Sequence, residues 1–405
     1  MSAARRRYEE THRWITFEVN LTGAPHSLWF LLGEASSKCD HLASTPLQPS
    51  VAAKLHQLYL AKGALATTAI EGNTLSEAEV LAHLAGELTL PKSKEYLATE
   101  VDNIIKACEA LANSVHINDA RPLTVDTICG FNRQVLKDLP LDEGVIPGEI
   151  REHNVTVGRY RGAPADDCRY LLECMCEWLN GDTFKPPKDQ PEMQLPFALI
   201  KAGLAHLYLA WIHPFGDGNG RTARLLEFQI LLDAGAPSPA AHLLSNHYNQ
   251  TRAEYYRQLD RTSQTGGEVI PFLLYAVQGF VDGIREQIAV VRRQLMRITW
   301  DNYVHEQFLD STSPADIRRR QLVLDLARAL RSVKTHEIPE LTPKLAQLYA
   351  GKTSKTLTRD LHELVAANLI VRSSDGIKAN TNRILQFLPL KKRTNPPLSP
   401  PQENP

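Results

Sequence analysis

Apolar residues recur along most of this chain at the three- and four-residue spacing of helices buried on one face. Val51, Leu55, Leu58 and Tyr59 share such a face, so a helix is predicted from near Ser50 toward Ile70, broken by Gly72-Asn73. Ser76 and Glu79 have the spacing of a capping box and open the next helix. Leu97, Val101, Ile104, Ile105 and Cys108 predict another after Lys94, and 123–136 and 166–179 read as two more. A nearly unbroken apolar helix ends at Ile212, because Pro214 lacks an N–H and disfavours helix geometry just before it. The helical pattern resumes at Arg221 and runs to Gly235, and 249–259 and 270–295 complete this set. Two stretches depart from it. Ile15, Phe17, Val19 and Leu21 alternate with polar residues, which predicts a short half-buried strand or extended arm. Gly148, Gly158 and Gly162 surround Val155-Thr156-Val157, so 146–163 reads as a hairpin.

A composition shift falls at 300–314. Beyond it, helices are predicted over 322–330, 341–349 and 354–368, and 370–371 and 384–387 as two strands bracketing the turn Ser373-Ser374-Asp375-Gly376. Three helices and a hairpin resemble a winged helix. Lys355, Thr358, Arg359 and His362 on its third helix are placed to meet DNA. Asp360 and Glu363 beside them work against a basic patch, so a protein partner is favoured over DNA. The stretch 391–405 is rich in proline and is expected to be a disordered tail.

Composition narrows the class. With 405 residues, 43% hydrophobic and 22% charged, the chain is expected to fold as two or three globular domains, and its net charge of −1 gives no general attraction to nucleic acid or acidic membrane. Six scattered cysteines lack a Cys-x-x-Cys pair, which argues against zinc and for reduced thiols. Arg5, Arg6 and Arg7 are not followed by an apolar run, and the stretch before His213 is interrupted by Lys201 and His206. No signal peptide and no membrane span are therefore expected, and the location is expected to be cytoplasmic.

Chemistry concentrates in 213–224, His-Pro-Phe-Gly-Asp-Gly-Asn-Gly-Arg-Thr-Ala-Arg, a glycine loop between two helices. The first turn of the second helix has N–H groups without intrahelical partners and the positive end of the dipole, which suits an anion. Arg221 and Arg224 add two forked cations. Asp217 is out of place beside phosphate alone and makes sense as a ligand of Mg²⁺ bridging carboxylate and phosphate. His213 is the one side chain of the stretch with a pKa near neutrality, hence the general base. The preceding helix excludes a dinucleotide fingerprint, and the lack of Gly-Lys-Ser/Thr excludes a Walker loop.

This stretch matches, at every defined position, the signature His-Pro-Phe-x-Asp-Gly-Asn-Gly-Arg-x-x-Arg of Fic-domain proteins, and the chain resembles that family from about Trp14 to Phe280. The resemblance implies a mainly α fold: a Fic helical core with a β-hairpin flap, plus a C-terminal winged-helix domain. Its expected divisions are an N-terminal helical region with an inhibitory helix (1–112), the catalytic domain (113–298), the winged-helix-like domain (301–390) and the tail (391–405). It implies transfer of AMP from ATP to a Ser, Thr or Tyr hydroxyl of a target protein docked on the flap, 146–163. ATP would lie on Gly218, Asn219, Gly220, Arg221, Thr222, Ala223 and Arg224, with Mg²⁺ on Asp217 and Tyr256 of the Tyr255-Tyr256 pair facing the adenosine. Thr67-x-x-x-Glu71-Gly72 matches the family's inhibitory pattern, so Glu71 is expected to pair with Arg224 as a bidentate carboxylate and turn the phosphates out of line. Removal of AMP, transfer of UMP or another phosphoryl group, and a nucleotide-sensing DNA-binding regulator stay open as alternatives. A homodimer also stays open.

Overall fold

A computed structural model describes residues 6–114 and 122–385 of the chain. The chain divides into two compact units, Met1–Ala289 and Val290–Pro405. The helices of the first are α1 (Tyr8–Thr11), α2 (His26–Ala43), α3 (Pro49–Ala69), α4 (Glu77–Leu84), α5 (Glu95–Ser114), α6 (Val125–Val135), α7 (Cys168–Asn180), α8 (Gln194–Ile212), α9 (Asn219–Asp233), α10 (Ser238–Ala241), α11 (Leu243–Gln250), α12 (Arg252–Gln264) and the start of α13 (Ile270–Gln307). Its two short strands, β1 (Thr156–Val157) and β2 (Tyr160–Arg161), pair antiparallel within the glycine-rich stretch.

The core is built around α8 and α9. Leu199, Leu204, Leu207, Leu209 and Ile212 of α8 are buried, as are Leu225, Leu226, Phe228 and Leu231 of α9. Apolar side chains all round, and not on one stripe, are what a central helix needs. Truncating fully buried Leu209 to Ala is expected to cost about 2–5 kcal/mol. The 191–212 stretch is, contrary to the sequence expectation, long and apolar enough to cross a bilayer, but 83% of its most apolar window is buried inside the fold.

Several boundaries differ from the expectation for identifiable reasons. The alternating stretch 15–21 forms no strand; Phe17 adopts a positive φ of 56° and its N–H donates to the Tyr208 hydroxyl at 3.0 Å, so the segment lies as an irregular arm. Helix α2 was not predicted, although Leu28, Leu32, Ala35 and Cys39 repeat at helical spacing and are all buried. Helix α9 begins at Asn219, two residues before the expected start. Helix α13 continues past Leu295 to Gln307, because Trp300 and Val304, four residues apart, both find places in the core of the second unit. The capping box at Ser76 and Glu79 is present.

The second unit contains α14 (Pro314–Arg328), α15 (Pro343–Tyr349), α16 (Ser354–Ala366), β3 (Ile370–Ser373) and β4 (Gly376–Ala379). The hairpin is tighter than expected. Its second strand starts at Gly376, pairs Ser373↔Gly376 through Ile370↔Ala379, and is bridged on its other side by Val333. Ile384 and Leu385 lie instead in a 3-10 turn, and Gln386, Phe387 and the tail at 391–405 fall outside the described residues. Asp360, expected among the surface acids, is buried. Its carboxylate accepts from Arg318 (Nε, 2.7 Å), Arg319 (Nε, 3.0 Å) and the Tyr349 hydroxyl (3.0 Å). It therefore ties α16 to α14 and contributes no negative charge to the exposed face of α16.

Candidate active site

The site begins where α8 ends. His213 is its C-terminal cap in the left-handed conformation, φ 51° and ψ 57°, uncommon for a residue with a side chain. Burial, joined by the charge of Arg151, drives its imidazole down to about 4. A backbone hydrogen bond to Ala210 and the carboxylates of Glu71 and Asp217 act in the opposite direction. The ring is thus neutral at pH 7 and able to accept a proton.

The loop that follows is held from within and from behind. Asn219 bridges it, accepting from the Phe215 N–H at 3.0 Å and donating to the Phe215 carbonyl at 2.8 Å. Buried Asn132 of α6 donates to the Asp217 carbonyl at 2.8 Å and accepts from the Gly148 N–H at 2.9 Å. Gly218, with φ +76°, is the N-cap of α9, and a Cβ there would meet the Asn132 and Leu136 side chains at 2.9 and 3.0 Å. The first helical N–H to find an intrahelical carbonyl is that of Thr222, bonded to Gly218 at 2.9 Å. The N–H groups of Asn219, Gly220 and Arg221 precede it and form the open first turn.

Three of the expected nucleotide contacts have side chains that are buried or engaged within the fold. The Asn219 side chain is engaged with Phe215, so only its backbone can serve a ligand. Thr222 is fully buried, its N–H taken by Gly218 and its hydroxyl accepting from Asn132 at 3.3 Å. Ala223 is buried in the core.

Both arginines are already engaged by carboxylates. Arg221 donates through Nη1 to Glu100 at 2.7 Å and through Nη2 to both oxygens of Asp217 at 3.1 Å. Arg224, 2% exposed, donates through Nη2 to Glu71 at 2.6 Å and to the Thr67 carbonyl at 2.9 Å. The Glu71 contact is single, not the expected bidentate fork, and Arg224 Nε and Nη1 are buried without a partner. Burial resists ionisation of Glu71, but Arg224, with Arg221 and His213, still holds its carboxyl below the usual carboxylate range. The Glu71 carboxylate lies against the first turn of α9: a Cβ on Gly220 would meet Oε1 at 2.2 Å.

The turn that carries Glu71 is tied down along its length. The carbonyls ending α3 are all answered: Thr67 by Arg224, Thr68 by the Glu71 and Asn73 N–H groups, Ala69 by Gly72 and by Arg252 Nη1 at 3.2 Å, and Ile70 by the Tyr256 hydroxyl at 3.2 Å. Tyr256 is 46% exposed, while Tyr255 is buried, stacked on Tyr248 and hydrogen-bonded to His206 at 2.8 Å. Buried Asn73 donates to the Leu97 carbonyl and to Glu100, which links the turn to the carboxylate on Arg221.

Asn73, Glu100, Asn132 and Arg151 were not found by sequence reasoning. Asn73 had a signal, standing beside Gly72 in the helix break. The others are single polar residues within helices or a glycine-rich stretch, and nothing local distinguishes them from solvated ones.

Residues 122–231 match the sequence model of the Fic/DOC family. The chain is 30% identical over 226 residues to a protein adenylyltransferase fic-1 of Caenorhabditis briggsae, covering 56% of this chain and 41% of that one. It is 30% identical over 213 residues to a protein adenylyltransferase Fic of Nematostella vectensis, covering 52% and 45%. The chain thus spans less than half the length of these curated relatives. Among solved structures, a Fic family protein from Desulfovibrio desulfuricans G20 shares the fold with a TM-score of 0.53 at 20% identity, over 86% of this chain and 92% of that one. Fic-1 (residues 134–508) from Caenorhabditis elegans gives 0.52 at 25% identity, over 65% and 72%.

Proposed function

From a chain that carries a Fic/DOC-family domain, we propose a protein adenylyltransferase held inactive by Glu71. The observation that carries the reading is the neutral, half-buried imidazole of His213 at the end of α8, in one site with the open first turn of α9. The phosphates of ATP lie on the N–H groups of Asn219, Gly220 and Arg221, with Arg224 supplying its unpartnered donors. His213 takes the proton of a Ser, Thr or Tyr hydroxyl as its oxygen attacks the α-phosphorus; the bond to the β-phosphate oxygen breaks and pyrophosphate leaves. Positioning and charge stabilisation supply most of the rate. The target's backbone aligns on the hairpin β1–β2, whose main-chain hydrogen bonds position a peptide without demanding a sequence.

Among the described residues no group of three His, Cys, Asp or Glu could hold a metal ion. Mg²⁺ brought with a triphosphate needs only one or two protein carboxylates, and on this reading the half-exposed Asp217 would supply one. Bound there, the ion would neutralise phosphate charge. Asp217→Ala is expected to weaken the Mg²⁺ dependence of ATP binding in calorimetry; an unchanged dependence removes Asp217 from that role.

The decisive experiment incubates the full chain with labelled ATP, Mg²⁺ and cell extract. Wild type or Glu71→Gly is expected to label proteins with a mass increment of AMP, and His213→Ala to bind ATP but label nothing. Transfer by His213→Ala near the parent rate rejects the base, and a different increment on the product points to one of the other phosphoryl-linked groups.

A second reading concerns the second unit. With Asp360 buried, positions 343–378 expose Lys344, Lys352, Lys355, Arg359, Arg372 and Lys378 against only Glu363 and Asp375. This favours duplex DNA more than the sequence alone did. Lys355→Ala with Arg359→Ala is expected to abolish salt-sensitive DNA retention and leave self-modification intact; equal retention by parent and variant rejects it.

A further inference from the structure

Arg151 sits at the root of the hairpin, 5% exposed, and among the described residues no carboxylate pairs with it. Its donors go entirely to carbonyls. Nε reaches His213 at 2.7 Å, Nη2 reaches Ala163 at 2.5 Å and Ile212 at 3.3 Å, and Nη1 reaches His153 at 2.6 Å. Its own N–H donates to Pro214 at 2.9 Å. The preceding carbonyl, Trp211, accepts from the Tyr160 hydroxyl at 2.8 Å and the Ala163 N–H at 3.2 Å. Four successive carbonyls at the end of α8, from Trp211 to Pro214, are thus all answered by the hairpin segment, three of them by Arg151. A helix C-terminus leaves these groups without intrahelical partners and carries the negative end of the dipole, so a buried cation is well matched there without an acidic side chain. The contact is close: a Cβ on Gly162 would lie 3.0 Å from both Arg151 Nη2 and the His213 Cβ.

We propose that Arg151 is the positioning residue of the catalytic base: by capping α8 it holds His213 in its left-handed conformation and fixes it to the hairpin on which the target aligns. The base and the target's docking strand then form one rigid unit, set independently of the nucleotide. This rests on the adenylyltransferase reading for its catalytic consequence, but the geometry itself has a separate readout. The charge of Arg151 also acts on His213, together with Glu71 from the turn after α3 and Asp217 from the loop. Two variants separate the two effects. Arg151→Lys keeps the charge and loses the fork. Arg151→Met loses both.

The test uses the full chain carrying Glu71→Gly, with initial rates of AMP incorporation, ATP affinity by calorimetry, and the ¹⁵N imidazole spectrum. Arg151→Lys is expected to lower kcat about tenfold and Arg151→Met about a hundredfold, the scale of an ångström-sized misplacement. ATP affinity stays within about twofold in both, since neither touches the phosphate turn. Removing the cation raises the imidazole pKa, with burial still holding it down, so the acid limb of the rate should lie at higher pH in Arg151→Met than in Arg151→Lys. The His213 resonances shift in Arg151→Lys, and those of His206 stay in place. A kcat in either folded variant equal to the parent's, or a loss seen only in ATP affinity, overturns the proposal. If His213→Ala proves active, the reaction is wrong but the imidazole spectrum still decides whether Arg151 positions the ring: unshifted His213 resonances in Arg151→Lys reject it.

Discussion

Two helix ends in the first unit are finished by arginines, and the two are finished differently. At the end of α8, Arg151 is buried with its donors engaged by carbonyls of the same neighbourhood, and no carboxylate competes for it. At the end of α3, Arg224 gives one Nη2 to Thr67 and Glu71 together, while Nε and Nη1 are buried and idle, and the remaining support comes from exposed Arg252 and Tyr256. A buried donor without a partner is costly. Saturated donors make a permanent strut. On the proposed reading, donors left without a protein partner mark an arrangement that a better ligand, a triphosphate, would replace. The same side chain thus fixes one helix end and leaves the other releasable.

The largest expected effect breaks the releasable end. Glu71→Gly should raise the initial rate of labelled AMP incorporation at saturating ATP by up to roughly a hundredfold, as a competent population held near 1% by about 2.7 kcal/mol becomes nearly the whole. Glu71→Asp should fall between, since the shorter arm reaches Arg224 poorly. Equal rates for wild type and Glu71→Gly would return Glu71 to the role of a solvated carboxylate.

A smaller effect sharpens the contrast by removing the outer supports. Arg252→Ala is expected to raise the wild-type rate about three- to fivefold, the scale of one exposed hydrogen bond, and Tyr256→Phe about twofold. Neither should change the rate once Glu71 is Gly, because the end is already free. Effects of full size in the Glu71→Gly background would place these residues in nucleotide binding and not in holding α3.

The smallest effect concerns pH. Glu71 has its carboxyl lowered in the folded state, with burial opposing and Arg224 prevailing. A lowered carboxyl stabilises the inhibited arrangement fully above its unfolded value and loses that contribution as pH falls through the folded value. The ratio of Glu71→Gly to wild-type rates should therefore be flat from about pH 6 to 8. A ratio that drifts across that window would mean another group controls the latch.

The helices and the glycine loop were legible because each is written locally: periodic apolar residues, a capping box, Pro214 after a run that must stop. The pairing of Glu71 with Arg224 could be named from two motifs far apart in the chain, but its single-contact geometry could not. The cap on α8 was not legible. Arg151 acts on residues about sixty positions away, through carbonyls that every residue possesses, so no side-chain pattern announces it. Asp360 was misread for a similar reason. On a helix face its charge looks solvated, and only the approach of Arg318 and Arg319 from α14 shows it to be interior.

Position 220 ties activity and restraint into one inheritance. A methyl group on Gly220 would run into Glu71 Oε1 at 2.2 Å and Arg224 Nη1 at 3.0 Å, and it would stand over the same turn that is to receive phosphate. On the proposed reading, a side chain there would displace the Glu71 carboxylate and crowd the turn meant for phosphate at the same time. Mutational drift at this position therefore has no route to an unrestrained enzyme. On that reading, restraint is relieved from the other side of the contact, by changes in the turn that carries Glu71 or in the Arg252 and Tyr256 that support it, which is where variation in regulatory strength among descendants of this chain should accumulate.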